Sequence, residues 1–490
     1  MASWQVAALG AYLTILGLLS IYGLHRYHLI WLYYRHRRRR ELSPPETTST
    51  PRVTVQLPLF NEACVAERLI DAVAALRYAP GRLEIQVLDD STDDTRDLVA
   101  RKVAELRATG VDIVHLHREN RLGFKAGALE AGLAQASGEL IAVFDADFVP
   151  ESDFLLATVP FFENADIGMV QTRWGHLNAP FSLLTRVQAM LLDAHFIFEH
   201  FPRNRGGRFF NFNGTAGVWR RRCIEESGGW QHDTLTEDLD LSYRAQLQGW
   251  RFLFLPDVVA PAELPIDMAA FKSQQHRWAK GSVQTAMKLL PKIWASEHPL
   301  RVKLEATFHL SANFAYLLVL LLCLLMPLVS KIRLEHATGW VSAGIDVSIA
   351  IAAFASVLFF YSLSQSVLYP RWWARLIYLP ALLCIGVGLS INNARAVFEA
   401  LSRKQGHFVR TPKHHVVGRQ AFSPRYRART SWQIALELTM AAWCGMALAP
   451  AIRGHYWLLA AFVSIFLVGF AWVGGKSAIE GVRSRALATA

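Results

Sequence analysis

The sequence has no cysteine pair. Cys64, Cys223, Cys323, Cys384 and Cys444 are scattered, with no C-x-x-C spacing. An odd, dispersed set argues against a disulfide framework and reads as reduced thiols. Acidic residues are in deficit, 40 against 51 Lys and Arg, for a net charge of +11. No RNP-like or zinc-finger pattern accompanies that excess, and much of it flanks apolar runs. It therefore reads as anchoring against anionic lipid on the cytosolic side rather than as nucleic-acid binding. No Walker loop is present. The apolar stretch 3–24 lacks a basic n-region and a small-residue cleavage site, so it reads as a membrane span and not as a signal peptide. After Phe422 come only a basic linker, two apolar runs and a short tail, and no appended regulatory domain is expected.

What is abundant is apolar residues, 52% of 490, clustered towards the two ends. That length accommodates a globular domain of about 250 residues together with several spans. Residues 1–34 are expected to form a transmembrane helix whose C-terminal end is held in the cytosol by the basic run from Arg35 to Arg40. Residues 35–51 read as a basic, Pro-rich linker. A cytosolic catalytic domain follows over 52–265, then amphipathic interface helices over 266–300. Transmembrane or re-entrant helices are expected over 301–391, a basic cytosolic loop over 392–430, further spans over 431–475 and a cytosolic tail over 476–490. The apolar runs are 306–329, 341–368, 372–391, 432–450 and 456–474. If all five spanned, the 392–430 loop, with nine Lys or Arg residues, would fall outside the cytosol. The positive-inside rule therefore makes one run, 372–391, interfacial or re-entrant. Polar residues within the runs, Asn313, Tyr316, Tyr361 and Gln365, suit either a channel lining or helix–helix hydrogen bonds.

Between the linker and the interface helices, VTVQLP (53–58), LEIQVLD (83–89), VDIVHLH (111–117) and ELIAVFD (139–145) are short β-branched or apolar runs. Helical stretches Glu62–Tyr78, Asp93–Thr109 and Phe124–Ala136 separate them. The alternation predicts a parallel α/β sheet with right-handed crossovers, whose ligands bind beyond the carboxyl ends of the strands.

Acids sit at those ends. Asp145 and Asp147, one residue apart after IAVF, can hold Mg²⁺ or Mn²⁺ against a diphosphate, although so short a motif also suits a solvated turn. Asp89 and Asp90 end the second strand, where a carboxylate meets a nucleobase or ribose or caps the next helix. The segment Asn120–Gly127, with Lys125, opens a helix and suits a nucleotide-facing loop. Thr236-Glu237-Asp238 begins another helix, with Thr236 placed to cap it and Asp238 placed to act as general base; Asp240 is a rival for that role. Gln274-Gln275-His276-Arg277-Trp278 lies on a basic, aromatic helix. Trp278 can stack on a sugar ring and Arg277 can meet a diphosphate, or both can anchor the helix at an interface. Phe408, Thr411 and Lys413 lie in the basic loop, within reach of nucleotide phosphates when that loop closes.

These pieces, in this order, resemble processive, membrane-embedded family 2 glycosyltransferases, with the nearest likeness to plant cellulose-synthase-like families A and C and their bacterial relatives. Phe212-Asn213-Gly214-Thr215-Ala216-Gly217-Val218-Trp219-Arg220 and the QQHRW element carry the likeness, which covers roughly residues 52–420. The resemblance implies an α/β GT-A catalytic domain, a Rossmann-like parallel sheet inserted in an α-helical transmembrane region. It implies a nucleotide-sugar donor, UDP-glucose or GDP-mannose, contacted by Asp89, Asp90, Lys125, Asp145, Gln274, Arg277 and Trp278. The metal falls to Asp145 and Asp147, and catalysis to Asp238 with Glu237 beside it. The acceptor falls to Asn213, Gly214, Thr215 and Trp278, and a gating loop to Phe408, Thr411 and Lys413. Arg410 stands where a valine is usual in cellulose synthases. The implied activity is processive, inverting β-hexosyl transfer, building a 1,4-linked glucan or mannan and moving it across a bacterial inner or Golgi-type membrane. The rival reading transfers one sugar to a membrane lipid such as ceramide or diacylglycerol. A third, non-enzymatic scaffold is disfavoured by the completeness of the motif set.

Overall fold

The structure is a computed structural model, and it describes residues 1–39, 45–46, 49–336, 354–403, 410–419, 432–455 and 457–489. The α/β region is organised on seven strands: β1 (Val53–Leu59), β2 (Leu83–Asp89), β3 (Ile113–His117), β4 (Leu140–Val143), β5 (Ile167–His176), β6 (Gly217–Arg220) and β7 (Arg251–Ala262). They lie in the order β3-β2-β1-β4-β6-β5-β7. The first four fall where the β-branched runs place them and pair in parallel. Beyond those four the sheet becomes mixed: β6, a strand not foreseen, runs antiparallel to both β4 and β5. Gly217 of β6 thereby pairs with Val143 at the end of β4, so the Asn213–Ala216 segment arrives beside the strand-end acids.

Helix α1 (Ser3–His36) is continuous. Its C-terminal half packs on the domain, Tyr33 meeting Phe198 edge-on at 4.9 Å. Helices α2 (Ala66–Ala74) and α3 (Thr95–Ala108) cover one face of the sheet, burying Leu69, Ile70, Val73, Val99 and Val103 against Val53, Val55 and Val87. Helix α4 (Phe124–Gln135) covers the other, with Leu129 and Leu133 against Ile141 and Val143. Burial of each such side chain is worth about 1.5–3 kcal/mol. Close approach of α4 depends on Gly132: a Cβ there would lie 2.6 Å from Gln56 Nε2 and 2.7 Å from Leu88 Cδ2. We expect Gly132→Val to push α4 off the sheet and destabilise the full chain by about 1–3 kcal/mol, the usual cost of overpacking. An inactivation temperature in detergent equal to wild type would refute it.

Five helical stretches among the described residues are long and apolar enough to cross a membrane: Ser3–His36, Phe314–Ile332, Trp372–Leu401, Gln433–Arg453 and Leu459–Val482. The run expected to be interfacial falls within the third. It is built of a 3₁₀ segment Trp372–Tyr378 followed by helices Leu379–Gly388 and Ser390–Leu401. Of the 341–368 run, residues 341–353 lie outside the described residues, and the helix Ser356–Leu368 has 13. Gln365 on that helix donates to the buried Asp193 at 3.2 Å, a helix-to-domain bond. A 28-residue helix, Met268–Ala295, joins domain to bundle. Its buried Lys272 pairs with Glu437 at 2.6 Å, and Lys280 with Glu399 at 3.1 Å. The amphipathic interface helices expected over 266–300 are mostly this one continuous helix.

Candidate active site

Strands β1, β2 and β4 end on a common edge, and the chain beyond each turns into one pocket. After β4, the Asp145 backbone N–H donates to Thr215 Oγ1 at 2.9 Å, and the Glu263 N–H reaches Asp147 O at 3.2 Å. Lys125 lies in the first turn of α4, entered through Gly123 at φ +72°. Its ammonium donates to Asp145 Oδ1 at 2.5 Å and to the Gly214 carbonyl at 2.8 Å, with Glu237 Oε1 at 3.9 Å.

Asp238 enters from the helix Glu237–Leu247, its Oδ1 accepting the Leu239 N–H at 2.8 Å. Thr236 makes no side-chain cap there. It packs instead against the Met268–Ala295 helix, where a Cβ on Gly281 would sit 2.5 Å from its Oγ1. The rival Asp240 is fully buried between Arg244 at 2.8 Å and Lys288 at 2.9 Å, outside the pocket lining. Gly214, at φ +83°, brings its backbone so close that an added Cβ would lie 2.9 Å from Asp238 Oδ2. Strain at positive φ and that contact both act on Asp238. We expect Gly214→Ala to lower kcat about 10²-fold, the cost of roughly 1 Å of misplacement. A kcat within a few-fold of wild type would refute this.

Gln274, Arg277 and Trp278 project from one face of their helix, at i, i+3 and i+4, into the same pocket. His276 points elsewhere, 3.3 Å from Glu399. From the basic loop, Lys413 donates to Asp147 Oδ2 at 2.6 Å and to the Glu263 carbonyl at 2.8 Å. Arg410 reaches Glu62 Oε1 at 3.4 Å, and buried Thr411 lines the wall. Phe408 lies outside the described residues.

The lining holds six carboxylates (Glu62, Asp90, Asp145, Asp147, Glu237, Asp238) and five cations (Arg121, Lys125, Arg277, Arg410, Lys413). Burial pushes Glu62 up to about 8, a shift that Arg410 opposes. Burial and then the neighbouring Glu237 carboxylate push Asp238 up to about 7, and burial also raises Asp145 and Glu237. Desolvated oxygen donors short of positive charge are the chemistry of a hard divalent cation site. Asp145 and Asp147 offer such oxygens, one residue apart in a lining with more carboxylates than cations, and fit the metal role; the ammonium groups of Lys125 and Lys413 now paired with them are the contacts a bound cation would replace.

The other anticipated residues separate. Asp90 lines the pocket with both oxygens held by Arg118, Nε to Oδ1 at 2.7 Å and Nη2 to Oδ2 at 2.6 Å. Asp89 does not line it. Fully buried, Asp89 accepts from Ser91 N–H at 2.8 Å and lies 2.9 Å from His115 Nε2. Asn213 and Gly214 line the pocket, whereas Thr215 stands behind Asp145. Sequence reasoning missed Glu62 and Arg118, and it placed Arg121 in the nucleotide-facing segment and Arg410 in the basic loop without giving either a role of its own. Glu62 follows the end of β1, in the same strand-end position that singled out the other acids. Arg121 stacks over Phe60 at 3.3 Å.

The sequence profile described as Glycosyltransferase like family 2 matches residues 51–281. A probable glucomannan 4-beta-mannosyltransferase 11 of Oryza sativa subsp. japonica is 48% identical over 248 residues, 50% of this chain and 44% of that protein. The glucomannan 4-beta-mannosyltransferase 2 of Arabidopsis thaliana is 44% identical over 252 residues, 50% and 47% of the two chains. The chain thus spans about half the length of the curated relatives it matches. A mannosyltransferase from Pyrobaculum calidifontis, solved in complex with GDP-Man and Mn²⁺, shares the fold at 20% identity and a TM-score of 0.50, covering 80% of this chain and 99% of its own.

Proposed function

We propose, since the chain carries a glycosyltransferase family 2 domain over residues 51–281, that it transfers a hexosyl group from a nucleotide sugar to the end of a growing β-1,4-linked polysaccharide, with inversion. Mannose, from GDP-mannose, is favoured over glucose from UDP-glucose, because the relatives at 44–48% identity are named for β-mannosyl transfer. One observation carries the reading: Asp145, Asp147, Asp238, Gln274, Arg277 and Trp278 converge on a single pocket from three separate stretches of chain.

In that pocket Asp238 takes the proton of the acceptor hydroxyl. The freed oxygen attacks the anomeric carbon on the face opposite the nucleotide, and the bond to the diphosphate breaks with the electron pair leaving on phosphate oxygen. Arg277 offers a planar fork to that diphosphate. A divalent cation, Mg²⁺ or Mn²⁺, held by Asp145 and Asp147 would neutralise the charge that departs. Lys125 keeps Asp145 and the Gly214 carbonyl in register with Asp238. Trp278 covers the acceptor sugar, with Asn213 and Gly214 on the acceptor side, and Asp90 with Arg118 faces the nucleoside. Thr411 and Lys413 close the donor side as a gating stretch.

The domain works on the cytosolic side of a bacterial inner or Golgi-type membrane, with the candidate spans carrying the product across. The deciding assay offers radiolabelled GDP-mannose and UDP-glucose to the full chain in vesicles with Mg²⁺ or Mn²⁺, and sizes the products after digestion with linkage-specific hydrolases. Long mannan from GDP-mannose is expected. Short glycolipid alone would overturn the polymerase reading, and transfer from neither donor would overturn the function.

A further inference from the structure

The geometry points to a second metal site, separate from the Asp145–Asp147 pair, in which Asp89, His115 and His117 bind a borderline divalent ion such as Zn²⁺. Sheet register builds it. Asp89 closes β2 and lies directly opposite His117 of the parallel strand β3, and His115 is two residues earlier. Because side chains alternate along a strand, residues 115 and 117 share one face. Asp89 Oδ2 reaches both rings, 2.9 Å from His115 Nε2 and 3.4 Å from His117 Nδ1. One donor atom from each of the three residues lies within 4.8 Å of the others. Tetrahedral zinc with bonds near 2.0–2.1 Å separates its ligands by roughly 3.3 Å, which these distances bracket.

Two further observations favour an ion over a simple hydrogen-bonded cluster. Asp89 Oδ1 is occupied by the Ser91 N–H at 2.8 Å, so Oδ2 alone turns to the imidazoles. His117 Nδ1 is buried yet makes no hydrogen bond, a nitrogen lone pair or N–H left facing the carboxylate. The ring edges keep 14% and 18% side-chain exposure, which leaves an entry path and an open fourth position for water. Two imidazoles with one carboxylate select zinc-like ions over Mg²⁺, whose preference is for oxygen alone.

The site clamps the ends of β2 and β3 one residue before Asp90, so loading it fixes the turn that presents Asp90 and its partner Arg118 to the pocket. It is a positioning site and does not depend on which sugar is transferred.

The test uses the full chain in detergent without a polyhistidine tag, stripped with a chelator and dialysed against micromolar Zn²⁺, with metal counted by elemental analysis. An Asp145→Asn/Asp147→Asn variant removes the other acids. One zinc per chain is expected in wild type and in that variant, and none in His115→Ala or His117→Ala. Zinc should also raise the thermal midpoint of wild type and leave that of His117→Gln unchanged, while the two metal-free midpoints agree. Zinc retained at full stoichiometry in the histidine variants, or absent from wild type, would overturn the site.

Discussion

Asp238→Asn is expected to lower kcat by about 10²- to 10⁴-fold, the range a positioned general base contributes, while leaving the donor KM within a few-fold. The substitution preserves shape, and the Leu239 N–H that donates to Asp238 Oδ1 keeps its acceptor, so folding is spared. A second readout follows from the charge environment. The carboxylate is held up to about 7 by burial and by Glu237, and only its ionised form accepts the proton. The wild-type rate should therefore plateau above that pH and fall about tenfold per unit below it. The companion variant Asp240→Asn breaks contacts to Arg244 and Lys288. It should lose thermal stability and keep the pH profile. Wild-type turnover in Asp238→Asn would remove Asp238 from the base role, and a matching loss of both activity and acid limb in Asp240→Asn would move the role there.

How much of this site was legible beforehand depended on the range of the interaction. Local patterns were sufficient for β1 to β4, because alternating β-branched runs and strand-end acids are read within a dozen residues. The reversed strand β6 was not legible. Four residues carry no direction, and its orientation is set by pairing with β4 and β5 on either side. Asp89 and Asp90 show the same limit at one-residue scale. Adjacent strand-end residues point to opposite faces, so one enters the pocket and the other meets His115, and only the register of β3 tells which. Glu62 and Arg410 are far apart in sequence yet pair at 3.4 Å, and Lys413 reaches Asp147 in the same way. No local pattern encodes such pairs. The Gln274, Arg277 and Trp278 set was readable because helical spacing puts i, i+3 and i+4 on one face.

Arg277 is where that helix and the acid cluster act on each other, and its removal should have the other large effect. Burial holds the guanidinium down to about 10, against the opposing pull of Asp145, Glu237, Asp147 and Glu62. It remains a cation at neutral pH. Arg277→Ala takes one of five positive charges from a lining with six carboxylates. Truncating one partner of a buried charge pair costs about 2–5 kcal/mol, so the donor kcat/KM should fall from about 30-fold to several thousand-fold. Arg277→Lys restores charge without the planar fork and should recover only part of that loss. A purely structural role for Arg277 would lower thermal stability and kcat together and leave the donor KM unchanged. An unchanged kcat/KM in Arg277→Ala would show that the diphosphate is met elsewhere in the pocket, whose other cations are Arg121, Lys125, Arg410 and Lys413.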